Sequence, residues 1–217
     1  MAHNFEVLDS HLLHDAPIIA LRRDRLLMPG GTTSNREIVE HFGAVAVVAM
    51  DDEGCIAMVE QYRHSVGRRL WELPAGILDI YQEAELETAK RELQEEAGLA
   101  ADDWAVLVDV VTSPGFAEEA VRIFLARGLH EVERPEAEHE EADMDFAWVA
   151  LDEARARVMR GEIVNSIAVA GILAASEVAA GRAEPRDVAE PFDLRPSSLA
   201  SRRSRAGIIP DMKQIPR

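Results

Sequence analysis

Hydrophobic and polar positions change period several times along the chain, and each change marks an element. Apolar residues fill 44–50 and 56–62 almost without interruption, the pattern of buried strands. Between them, Asp51-Asp52-Glu53-Gly54 has the acidic residues and glycine of a tight turn. Over 83–97 the period lengthens: Leu86, Ala89, Leu93 and Ala97 recur at helical spacing, and Gly98 stands where a helix stop belongs. Strand-like runs return at 104–112, 121–126 and 146–149. Two further helices are predicted at 151–160 and 166–180, the second capped by Asn165 or Ser166 and ended by Gly181. Ahead of these, 5–8, 18–28 and 36–42 read as extended segments broken by Pro29-Gly30-Gly31 and a short polar turn, a hairpin or small sheet. This order of elements packs as a mixed sheet with helices on both sides. The chain divides into a β extension (1–40), a central α/β domain (41–182) and a Pro/Arg-containing tail (183–217). The last 37 residues hold five of the ten prolines and the cluster Arg202-Arg203-Ser204-Arg205, and read as irregular, partly disordered, or draped on a partner.

Composition narrows the class. A length of 217 residues suits one medium domain with an appendage, and 47% hydrophobic residues exclude a disordered chain. The longest apolar runs, 43–50 and 167–175, fall short of the roughly 20 residues a membrane span needs. The start of the chain lacks the basic and apolar regions of a signal peptide. One cysteine, Cys55, excludes an internal disulfide framework and a multi-cysteine zinc site, and reads as a small buried strand residue. A cytoplasmic setting is expected. With 40 acidic and 23 basic residues the formal charge is -17, which opposes nucleic acid and anionic lipid as partners, the Arg202–Arg205 cluster notwithstanding. An anionic ligand would need positive charge recruited locally, from arginines or metal ions.

The chemistry concentrates on the predicted helix. At 3.6 residues per turn, Glu92, Glu95 and Glu96 fall within an arc of about 100° beside the Leu86/Leu93 face. Glu92 and Glu96 form a like-charge i,i+4 pair, unfavourable by a few tenths of a kcal/mol, roughly, in an isolated helix. Either solvent screens these carboxylates or a hard divalent cation sits between them, since Mg²⁺ and Mn²⁺ take oxygen ligands.

Upstream stand Leu73-Pro74-Ala75-Gly76 and Glu83, then Arg91-Glu92-Leu93-Gln94-Glu95-Glu96-Ala97-Gly98-Leu99. This resembles the Nudix box, G-x5-E-x7-R-E-U-x-E-E-x-G-U, with every fixed residue present. Six residues rather than five separate Gly76 from Glu83. The extra residue lies in the loop before the helix, where an insertion costs little. The resemblance implies an α/β/α sandwich with a mixed sheet. It makes Glu92, Glu95, Glu96 and the Ala75 carbonyl metal ligands, gives Glu96 a catalytic part as well, and pairs Arg91 with Glu83 structurally. Two or three Mg²⁺ or Mn²⁺ ions would neutralise a pyrophosphate and activate a water for in-line attack on phosphorus.

Pro114 lies 16 residues past Gly98, within Thr112-Ser113-Pro114-Gly115-Phe116, as in the ADP-ribose pyrophosphatase subfamily. The N-terminal extension, the stretch 37–47, Gln61-Tyr62-Arg63-His64 and Trp71-Glu72 also resemble bacterial members of that subfamily. The implied reaction is ADP-ribose plus water giving AMP and ribose 5-phosphate. The resemblance further implies a homodimer sharing substrate contacts. Arg63 would bind pyrophosphate, Arg36 and Glu37 would reach across the interface, and Ser113 and Glu119 would line the ribose and phosphate region. The backbone at Ile77 would hold substrate, and Ile19 would stand where relatives place an aromatic against adenine. The general base is expected in the acidic stretch 136–143 (EAEHEEAD): Glu141 first, also as a metal ligand, then Glu140, with His139 disfavoured by a metal-rich site. The rivals are hydrolysis of another nucleotide sugar, such as GDP-mannose or ADP-glucose, and a non-catalytic ADP-ribose sensor. The sensor is opposed by the complete set of carboxylates.

Overall fold

The computed structural model describes residues 3–135 and 143–215. In chain order its elements are β1 (Val7–Asp15), β2 (Ile19–Leu27), β3 (Thr33–His41), β4 (Ala44–Ala49), β5 (Cys55–Arg63), β6 (Arg68–Glu72), β7 (Ala75–Ile77) and α1 (Glu85–Ala97). There follow β8 (Leu99–Val111), β9 (Ala120–Glu131), β10 (Asp145–Ala150), α2 (Leu151–Met159), α3 (Ser166–Ala179) and α4 (Ser198–Arg205).

The unbroken apolar run of β4 has a direct structural cause. Val45, Val47 and Ala49 pack toward α1, with Ala89, Leu93 and Phe124. Their neighbours Ala44, Ala46 and Val48 pack on the other side with Ala168 and Ile172 of α3. Strand β4 is thus sealed by helices on both faces, which removes the need for alternation. It runs parallel to β9 and antiparallel to β7, in a four-stranded sheet of order β7-β4-β9-β8. The expected mixed sheet between helical layers is therefore the one observed.

The Asp51–Gly54 turn forms as its residues predict: the Asp51 carboxylate accepts from the Cys55 N–H at 2.7 Å and the Gly54 N–H donates to the Asp51 carbonyl. The two strands it joins share only one isolated bridge, Met50 to Ile56. Strand β5 belongs to a different sheet, of order β10-β5-β6, and the turn passes the chain between the two. Cys55 opens β5 and is partly buried.

The N-terminal extension is a three-stranded antiparallel sheet, β1-β2-β3. Its first strand covers Val7–Asp15 rather than 5–8. All nine of its residues are exposed, so no buried face imprinted a period on that segment, and pairing with β2 sets its length.

The tail also departs from expectation, being draped on its own chain. Arg122 of β9, 2% exposed, donates to both oxygens of Asp109 and to the carbonyls of Glu190 and Pro191, with the Phe192 ring 4.7 Å from its guanidinium carbon. Leu199 of α4 and Met212 are buried with Ala20 and Phe42. Two arginines of the basic cluster are spent on this docking. Arg202 pairs with the buried Glu40 of β3, and Arg203 with Asp15 and the Ala16 carbonyl. No helix among the described residues is long and apolar enough to cross a membrane.

Candidate active site

Helix α1 carries the site, and its ends are where the pattern placed them within two residues. Gly98 closes it with φ 65°, a left-handed conformation suited to glycine, and its N–H donates to the Gln94 carbonyl at 2.9 Å. The apolar face of Ala89 and Leu93 is fully buried under β4, which turns Glu92 and Glu96 inward at the edge of the packed layer. Both are buried, at 9% and 7% exposure.

Gly76 makes that burial possible. A side chain there would overlap the Glu92 carboxylate, so only glycine lets β7 lie against this helix. One residue earlier, the Ala75 N–H donates to Glu96 Oε2 at 2.9 Å. Arg91 is more than half of a single ion pair. It reaches Glu83 through Nε and Nη2, and its Nη1 donates to Glu92 at 2.7 Å and to Glu95 at 2.9 Å. Thr88 adds a hydroxyl bond to Glu83 at 2.8 Å. The Arg91–Glu83 contact thus stands as the box resemblance implied, with two further carboxylates on the same guanidinium.

Electrostatically, Glu92 is the outlier. Burial pushes its carboxyl up to about 7; Arg91 opposes this, while Glu95 and Asp79 add to it. A buried carboxylate crowded by Glu95 and Asp79 suits a hard cation even with Arg91 on one oxygen, and the donor set here is oxygen. No group of three or more His, Cys, Asp or Glu side chains among the described residues stands ready to hold a metal ion. The three expected glutamates all lie on α1, but they do not form a cage. Glu92 and Glu95 are tied to Arg91, and Glu96 is turned to the Ala75 amide.

The other expected residues fall into groups. Ile77 follows Gly76 in β7, pairs with Ala44 and is half-buried. Arg63, at the end of β5, forms a two-pronged pair with the buried Glu72 of β6, at 3.0 and 2.7 Å. Ser113 and Glu119 lie on the connection between β8 and β9, which docks on β3 through Val39, whose N–H donates to the Phe116 carbonyl at 2.7 Å. Glu119 accepts from the Thr112 hydroxyl at 2.5 Å and lies 3.6 Å from Nδ1 of the buried His41. Burial holds the His41 imidazole below its ordinary range despite the nearby Glu119 and Glu118. Ile19, Arg36 and Glu37 are exposed on the N-terminal sheet. Arg36 bonds Ser34 and the Asn35 carbonyl, Glu37 bonds Arg23, and none of these contacts involves the α1 carboxylates. Glu140, Glu141 and His139 lie outside the described residues.

Reading the sequence missed the partners that brace these side chains: Glu72 behind Arg63, His41 and Thr112 beside Glu119, and Arg195 and Asp79 near the box loop. Glu72 alone left a trace, as an acidic residue within the apolar stretch 70–75. A cavity of about 800 Å³ lies where the tail meets that loop, lined by Tyr81, Gln82, Arg195, Ser201 and Met212 among others, and away from the α1 carboxylates.

The chain is similar to several known proteins. The Nudix domain profile matches residues 40–167. An ADP-ribose pyrophosphatase of Mycobacterium tuberculosis is 58% identical over 202 residues, 93% of this chain and 98% of that one. An ADP-ribose pyrophosphatase of Bacillus subtilis is 40% identical over 69% of this chain and 80% of its own, and a methanol dehydrogenase activator of Bacillus methanolicus is 38% identical over 71% and 83%. Among solved structures, one described as an ADP compounds hydrolase superposes with a TM-score of 0.71 at 17% identity, covering 84% of this chain and 99% of its own, a likeness of fold. The matched profile spans the helix that holds Arg91, Glu92, Glu95 and Glu96, and the chain belongs to the Nudix family.

Proposed function

We propose that this protein hydrolyses the pyrophosphate of ADP-ribose to AMP and ribose 5-phosphate. The observation that carries the reading is Glu92, a buried carboxylate seated against Gly76 and held by Arg91, on a helix that also carries Glu95 and Glu96. The substrate is supported by the names of the Mycobacterium and Bacillus subtilis relatives. Glu92, Glu95, Glu96, the Ala75 carbonyl and Glu141 would hold two or three Mg²⁺ or Mn²⁺ ions, which would supply charge neutralisation and an activated water.

The chain's own groups then have distinct tasks. Arg91 keeps Glu92 and Glu95 in register and anchors the loop through Glu83. Arg63, held in one orientation by Glu72, presents its guanidinium to the pyrophosphate. Ser113 and Glu119 face ribose and phosphate, and the Ile77 backbone positions the substrate. Glu141 takes the proton of the attacking water on a carboxylate oxygen, with Glu140 as the alternative. Arg36, Glu37 and Ile19 serve the site of a second copy: β1 is a free sheet edge with Val7, Leu8, Leu12 and Leu13 exposed, which suits a homodimer. The low cysteine count suits a cytoplasmic setting.

The test is ADP-ribose hydrolysis with Mg²⁺, with and without chelator, alongside GDP-mannose and ADP-glucose. Metal-dependent AMP and ribose 5-phosphate with ADP-ribose preferred is the expected result. Preference for another sugar nucleotide would keep the chemistry and discard the substrate, and tight binding without turnover would favour the sensor. Glu141→Gln is expected to lower kcat by more than it lowers Mn²⁺ affinity; a loss seen only in Glu140→Gln would move the base by one residue.

A further inference from the structure

The loop from Ile77 to Glu83 decides where the box helix meets its glycine, yet it is one residue longer than the family spacing and places Gln82 at φ 63°. A non-glycine residue in that region persists where surrounding structure holds it. Here the holding structure is the far end of the chain. The Met212 N–H donates to the Asp79 carbonyl at 2.9 Å, the Tyr81 N–H donates to the Pro210 carbonyl at 2.8 Å, and Ile80 and Asp211 form an antiparallel bridge between them. Lys213 pairs with the carboxylate of Asp79, which is 2% exposed. Arg195 donates to Glu85 at 2.8 Å and to the Glu83 carbonyl. Met212 in turn is buried with Ala20, Phe42 and Leu199, so this short strand is anchored in the N-terminal sheet and α4.

We propose that residues 208–213 are a positioning strap for the catalytic loop, with Asp79 and Lys213 as its positioning residues. Neither touches substrate in this reading. They act by fixing the segment that delivers Gly76 to Glu92 at one end and Glu83 to Arg91 at the other. The charges are close enough to matter to one another: Asp79 adds to the upward push on Glu92, and Arg91 opposes the charge of Lys213. Lys213 therefore compensates a buried acid beside the helix carboxylates, which would otherwise stand uncompensated. The strap rests on the metal-site reading for its catalytic consequence, but not for its mechanical one.

The full-length double variant Asp79→Asn/Lys213→Met removes the pair and leaves the local net charge at zero, so a simple change of field is not its effect. Three readouts are taken: hydrogen exchange in peptides covering 77–84, Mn²⁺ affinity by electron paramagnetic resonance, and kcat and KM for ADP-ribose. The strap predicts at least about tenfold faster exchange in 77–84 with 86–97 still protected. It also predicts Mn²⁺ binding weaker by about five- to tenfold and kcat lower by about tenfold or more, with KM within about threefold. Lys213→Arg alone, with Asp79 kept, should hold all three at wild-type values. Unchanged exchange and Mn²⁺ affinity, with or without a lower Tm, would overturn the proposal, because a merely structural pair moves Tm alone. Should the double variant fail to fold, Lys213→Met carries the test, its side chain being 42% exposed. There the strap predicts weaker Mn²⁺ binding, and tighter binding, the electrostatic outcome, would overturn it. A wild-type protein that binds no Mn²⁺ would undo the metal-site reading, and the exchange data would still decide the strap.

Discussion

Gly76→Ala separates a site assembled by close packing from one that only needs its charged residues. An added Cβ would meet Glu92 at Cγ, Cδ and Oε1 together, and Glu92 is 9% exposed, so the carboxylate has to move or β7 has to lift. Overpacking of this kind destabilises by about 1–3 kcal/mol. For a domain of this size that lowers Tm by about 2–12 °C. The effect on turnover is larger, because a reacting geometry misplaced by about 1 Å loses about 10²-fold in rate. Steady-state hydrolysis of ADP-ribose, a Mn²⁺ titration and calorimetry on the same preparation give the three numbers. The expected pattern is kcat down by about 10²-fold, Mn²⁺ affinity reduced, and KM little changed. Gly115→Ala serves as the stability control, since nothing lies within 4 Å of a Cβ there and Tm should hold. Wild-type kcat and Mn²⁺ affinity in Gly76→Ala would refute the close-packing argument, because Glu92 would then have a functional position that does not lie against residue 76.

Glu92→Gln keeps the shape and deletes a charge that burial disfavours. Turnover should fall by orders of magnitude while metal-free Tm at neutral pH stays level or rises, because a carboxyl raised to about 7 weakens the fold as pH climbs from its unfolded value through the folded one; a clear loss of Tm would count against this. Glu96→Gln should lose turnover too, and near-wild-type rates in both variants would remove the metal site from α1. Asp109→Asn tests the tail anchor. Burial would raise the Asp109 carboxyl, but hydrogen bonds from Arg122 and Arg186 outweigh it and hold it below the aspartate range. Leaving Arg122 buried without its carboxylate costs about 3–5 kcal/mol, or about 6–20 °C in Tm. Because the folded value is depressed, that stability is present above the unfolded value, about pH 4, and is lost as pH falls through the folded one. The gap between wild type and variant in urea titrations should therefore narrow in acid, and a pH-independent gap would contradict the assignment.

Much of the fold was written locally. The helix α1 was legible because Leu86, Ala89, Leu93 and Ala97 share one face, and its end because Gly98 takes a left-handed turn that few other residues accept. Strand β4 was legible because both its faces are buried. The site was legible for the same reason: its carboxylates sit on one continuous helix, where spacing alone sets which side chains share a face. What lay beyond the sequence was every feature joining segments far apart in the chain. Strands β4 and β5 were legible as two runs joined by a tight turn, yet their membership of different sheets is set by registry with β9 and β10, to which a local pattern is blind. The tail read as loose because its prolines and arginines have no periodicity. Tertiary structure gave three of these arginines a specific acid, Glu40 for Arg202, Asp15 for Arg203 and Glu85 for Arg195, between 110 and 188 residues away. Residue types and spacing by themselves determined which carboxylates share a side of α1, because a helix converts spacing into direction. How tightly those groups are held, with Glu92 against Gly76 and the loop against residues 208–213, was decided only when the chain closed on itself, since burial and long-range charge pairing exist only in the folded state.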